Sequence, residues 1–123
     1  PLLGVGLDNF LYAYRGKYIL PEAWQDPDLS HPHNVLLDYT ARLGLLGLAA
    51  ALWLQVAFWA TLGQAYRRMT DPDLRALAVG LMASMANFLA HGLVDASYFV
   101  VDLAFVFMLT LGLGWQLNSQ AGD

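Results

Sequence analysis

The stretch SHPHNVLLDYTARLGLLG, residues 30–47, sets two of the chain's three histidines, an asparagine and an acid–base pair directly ahead of a long apolar run. Imidazole is the side chain best suited to take a proton from a hydroxyl near neutral pH, so His33 is a candidate general base, with the Asn34 amide beside it. His31 adds a second polar ring. Asp38 and Arg42 stand i, i+4 with the acid first, the favourable order for an ion pair along a helix. His91 and Asp95 repeat that spacing later in the chain. Imidazole and carboxylate also suit several transition metals, and His31, His33, His91 and Asp95 supply both. The proline between the first two histidines restricts the backbone joining the rings, and no zinc-type spacing occurs elsewhere, so no metal site is expected.

These groups need an element to hold them. Pro32 suits the first turn of a helix, where its missing N–H would be unpaired anyway, and Ser30 or His31 can serve as the cap. A helix continued from there places His33 in its opening turn, where free N–H groups and a partial positive charge favour an uncharged ring and attract phosphate. At about 100° per residue, Leu37, Thr40, Gly44, Gly47 and Ala51 fall within roughly 40° of His33. Such a stripe of mostly small residues lets a neighbouring helix or lipid chain approach closely. Asp38 and Arg42 project from the opposite side.

The surroundings are membrane-like. Of 123 residues, 58% are hydrophobic and 13% charged, with a mean hydropathy of +0.45, whereas soluble domains carry about 25% charged residues. Apolar runs at 43–62, 74–94 and 99–117 each approach the roughly 20 residues that cross a hydrocarbon core. Arg67, Arg68 and Arg75 crowd the first connection, while Arg15, Lys17 and Arg42 are spread over residues 1–42. By the positive-inside rule that connection is cytoplasmic, and residues 1–33 and the turn 95–98 are extracytoplasmic. Residues 1–33, rich in Tyr and carrying Trp24, are expected to lie along the outer membrane surface and to end in the loop PEAWQDPDLSHP. The expected fold is therefore all-α: a polytopic membrane protein with three transmembrane helices over 34–123, preceded by an amphipathic outer-face segment over 1–33.

A net charge of −4 lacks the basic stripe that binding nucleic acid requires. The absence of cysteine excludes disulfides and thiolate chemistry. Neither an initiating Met nor a basic leader opens the chain, so a C-terminal piece of a longer protein is expected.

His33-Asn34, nine residues, then Gly44-Leu45-Leu46-Gly47 resembles the H-N-x9-G-x-x-G signature of the O-antigen ligase and polymerase superfamily. PLLGVGLDNFLYAY is similar to that family's P-x-x-G-x-G-x-x-N-F approach, and HGLVDASYF to its segment before the last helices. Arg42 stands where many members carry Glu. The resemblance implies part of a GT-C type fold in the bacterial inner membrane, with its active face extracytoplasmic. It implies transfer of a glycan from an undecaprenyl-pyrophosphate carrier to a hydroxyl of a glycan, lipid or protein acceptor, in polysaccharide or lipopolysaccharide biosynthesis, without nucleotide sugar, metal or other cofactor. It makes His33 the general base and Asn34 a supporting polar residue. Pyrophosphate leaves readily once its charge is neutralised. Arg15 and Lys17 are the cations available outside Arg42, Arg15 being preferred, although both could equally meet lipid headgroups.

In the second span Gly80, Ser84, Asn87, His91 and Asp95 share one helix face within about 80°. Polar residues at such depth usually face the bundle interior or a wet cavity. With His31 and Arg15, His91 and Asp95 are thus candidates for contacting carrier or acceptor, the alternative being hydrogen bonding between helices. A different function class stays open, that of a transporter or non-catalytic membrane subunit using this stripe as substrate path or helix glue.

Overall fold

The computed structural model describes residues 1–7, 9–15, 17–19, 31–95 and 101–121. Among these the chain is all-helical: α1 (Phe10–Arg15), α2 (Val35–Arg68), α3 (Pro72–Gly92) and α4 (Val101–Gln120). The last three, of 34, 21 and 20 residues, are long and apolar enough to cross a membrane, as the three apolar runs predict. Ser30, Trp24, most of the proline-bearing loop and residues 96–100 lie outside the described residues. Two compact units make up the chain, Pro1–Ala51 with Gly92–Ala96 and Leu52–His91 with Ser97–Asp123.

In the second unit α3 buries Ala78, Leu81, Met85 and Phe88, the three-and-four spacing of a helix with one packed face. The same core takes Phe58, Leu62 and Ala65 from α2 and Phe107, Thr110 and Leu117 from α4. The Phe88 and Phe107 rings meet at 5.7 Å. Asp71 caps α3, its Oδ1 accepting from the Asp73 N–H at 2.8 Å, and Pro72 fills the first helical position at no cost in hydrogen bonds. Arg75 lies over Tyr66, 4.6 Å from the ring centroid, and donates to its hydroxyl at 3.1 Å.

The polar stripe of α3 is shorter than expected. Gly80, Asn87 and His91 are exposed and Ser84 is half-buried, because the apolar row at 78, 81, 85 and 88 takes the packed face. Asp95 does not belong to the stripe, since α3 ends at Gly92. Trp53, Val56, Phe105, Met108 and Trp115 are also exposed, a spread of large apolar side chains that suits a lipid surrounding.

In the first unit α2 is broken at Gly44, where φ is 71° and ψ −169°. In an unbroken helix the carbonyls of Ala41 and Arg42 would accept from the N–H groups of Leu45 and Leu46. Here they accept from Val5 and Gly6, both at 2.9 Å, while Leu45 and Leu46 donate to Pro1 and Leu2 at 3.0 and 3.3 Å. The N-terminal segment thus supplies partners for all four of these backbone groups. That matters in a membrane span, where no water can satisfy a freed backbone group.

Only glycine fits this crossing. The Gly44 backbone lies in a region essentially closed to other residues, and a Cβ there would overlap the Leu2 carbonyl. At Gly4, whose φ is +68°, a Cβ would fall 2.5 Å from the carbonyl carbon of Arg42. One expectation is corrected by this pairing. Residues 1–6 are bonded to the α2 backbone, and α2 is not the unbroken helix expected, so the small-residue stripe is not continuous through Gly44.

The ion pair read from the i, i+4 spacing is present. Arg42 Nε donates to Asp38 Oδ1 at 2.7 Å, and Nη1 donates to the Leu7 carbonyl. Asp38 is 1% exposed and Arg42 7%. A charge so buried is tolerated only with its partner, so the pair ties the start of α2 to the N-terminal segment. In α1, Phe10 stacks on Tyr14 at 5.4 Å.

Candidate functional site

Asn34 decides where the site begins. Its Oδ1 accepts from the N–H groups of Leu36 at 3.0 Å and Leu37 at 3.2 Å, the second and third residues of α2. Asparagine is among the best residues for this, because its short side chain reaches the unpaired donors of the first turn. The cap is therefore Asn34, where Ser30 or His31 was expected, and His33 stands ahead of α2 instead of inside its opening turn. The correction frees the ring. His33 is 58% exposed at its side chain, beyond the crowding of a helical turn.

The other end of the site comes from the turn after α3. Gly92 lies so close to Val35 that a Cβ on it would sit 3.0 Å from the valine side chain. Just beyond, the Leu93 carbonyl accepts from Asn34 Nδ2 at 3.1 Å. Asn34 thus fastens the start of α2 to the chain that carries Asp95. The Asp95 Oδ1 lies 3.1 Å from His33 Nδ1. A carboxylate there favours the tautomer with its proton on Nδ1, which leaves the Nε2 lone pair to accept.

His31 completes the cluster. Its ring meets that of His33 edge-on, with centroids 5.0 Å apart and planes at 73°. Its Nδ1 is buried and has no hydrogen-bond partner among the described residues. One ligand atom each from His31, His33 and Asp95 lies within 4.8 Å of the others.

Of the residues singled out in the sequence, the structure gathers His31, His33, Asn34 and Asp95. Arg15 closes α1, and His91 is exposed in the last turn of α3. The pairing of Asp95 with His33 escapes a reading by helical period, which continues α3 past its true end. The signal for it is Gly92, a residue type that commonly stops helices.

Asn34→Ala is expected to destabilise the start of α2 by about 0.5–2 kcal/mol and to release the 93–95 turn. Asn34→Ser keeps a capping oxygen and loses the bond to Leu93. Amide exchange separates the two roles: Leu36 and Leu37 should exchange faster in the alanine variant than in the serine variant.

Comparison with protein-family models, characterised proteins and solved structures finds no match to this chain.

Proposed function

We propose that the chain belongs to a membrane glycosyltransferase that moves a glycan from an undecaprenyl-pyrophosphate carrier to an acceptor hydroxyl, at the extracytoplasmic face of the bacterial inner membrane. The observation that carries this reading is the exposed His33 ring with Asp95 on its Nδ1, at the start of a helix apolar enough to span a membrane. A nitrogen base oriented by a carboxylate is the arrangement that activates a hydroxyl in many transferases and hydrolases. The resemblance of His33-Asn34 and Gly44-x-x-Gly47 to the O-antigen ligase and polymerase signature supplies the substrate class.

In the proposed reaction the acceptor hydroxyl gives its proton to His33 Nε2 as its oxygen attacks the anomeric carbon of the carrier-linked sugar. The bond from that carbon to the phosphate oxygen breaks, and the electron pair leaves with undecaprenyl pyrophosphate. His33 then returns its proton to solvent. Asp95 holds the ring and stabilises the imidazolium formed in the step. Arg15 and Lys17 are the cations proposed to meet the pyrophosphate, with His31 and His91 as polar contacts for sugar hydroxyls. Arg42 is committed to Asp38 and Leu7, so its charge serves the fold.

The test is a strain lacking the gene. Surface glycan should be lost while its lipid-linked precursor accumulates, and normal surface glycan without accumulation would count against the proposal.

A further inference from the structure

We infer that His31, His33 and Asp95 form a site for a borderline transition-metal cation such as Zn2+, Co2+ or Ni2+. Two imidazoles and one carboxylate are the donor set such ions prefer, whereas Mg2+ and Ca2+ favour oxygen alone. Ligands bound at about 2.0–2.2 Å in a tetrahedron lie about 3.3–3.6 Å from one another. The His33 Nδ1 to Asp95 Oδ1 separation of 3.1 Å comes within a few tenths of an ångström of that edge. None of the remaining separations is above 4.8 Å, and the His33 side chain, 58% exposed, has room to turn and close them.

A second observation points the same way. His31 Nδ1 is buried without a hydrogen-bond partner among the described residues, a state that costs the nitrogen its hydration. Coordination through that nitrogen would give the imidazole a strong partner. Pro32 does not prevent this, because the structure brings the rings on either side of it to 5.0 Å. Three protein ligands leave a position open for water, as in metal sites accessible from solvent.

Binding follows from this geometry alone. Its consequence for transfer rests on the proposed function: an ion held by His33 and Asp95 separates the base from its orienting carboxylate, so micromolar Zn2+ should inhibit and a chelator should restore activity.

Cobalt titration of the chelator-treated protein in detergent micelles reads the site directly. One equivalent of Co2+ per chain should produce a visible ligand-field band, and Zn2+ should abolish it. His31→Ala and Asp95→Asn should each weaken Co2+ binding at least tenfold, with helicity by circular dichroism unchanged, while His91→Ala should leave it intact. His31→Gln, which retains size without an imidazole, should behave as His31→Ala does. A wild-type band no stronger than that of a His31→Ala/His33→Ala double variant would overturn the inference, as would its loss in His91→Ala. A band in a protein that transfers no glycan would uphold the metal site and fail only the proposed function.

Discussion

Gly44→Val is expected to expel the N-terminal segment from α2 while leaving the helix itself intact. The wild-type backbone at this position, φ 71° and ψ −169°, costs a residue with a side chain about 1–3 kcal/mol, and a valine would in addition collide with the Leu2 carbonyl. The chain has an escape. If residue 44 becomes helical, Ala41 and Arg42 can accept from Leu45 and Leu46 in the ordinary way, and the four backbone bonds to residues 1–6 are given up. Amide exchange then separates two outcomes that a simple stability measurement would merge. Val5 and Gly6 should exchange at least about tenfold faster, since each 1.4 kcal/mol is a decade, while Leu45 and Leu46 stay protected. Unchanged protection at Val5 and Gly6 would contradict the crossing. Loss of the segment also removes the Leu7 carbonyl from Arg42.

The second large effect lies on the His33–Asp95 pair. An asparagine at position 95 can still accept from Nδ1–H, but it carries no charge to stabilise an imidazolium, and its amide can turn to favour the wrong tautomer. In a buried catalytic triad that exchange costs about 10⁴ in turnover. Here the side chains are 58% and 47% exposed, so water screens the charge and supplies an alternative partner. Asp95→Asn is therefore expected to lower the rate of the proposed transfer about 10- to 100-fold, with acceptor KM little changed. A rise in KM at constant kcat would instead mark Asp95 as a substrate contact.

Much of the fold is legible in the sequence because its signals are local. Three apolar runs between polar connections become α2, α3 and α4, and Asp38 with Arg42 forms the ion pair that their spacing permits. The break at Gly44 is of a different kind. A periodic reading assumes an unbroken ladder, whereas this one is opened by residues 1–6, far away along the chain, and the glycines at 4 and 44 make sense only as a pair. The cap was decided by competition. Ser30, His31 and Asn34 could all begin a helix, and Asn34 prevails with two acceptor contacts to the helix and a further bond to Leu93. Moving the start from Pro32 to Val35 takes His33 off the helix, and ending α3 at Gly92 takes Asp95 off its stripe. With both displacements in place the two side chains meet.

The most direct test is glycan transfer by the His33→Ala variant, measured with lipid-linked donor and acceptor in the full-length protein reconstituted in membranes. General-base catalysis contributes about 10²- to 10⁴-fold, so transfer should fall by that factor while expression and membrane insertion stay normal. Transfer within a few-fold of wild type would contradict the proposed role of His33 as the base.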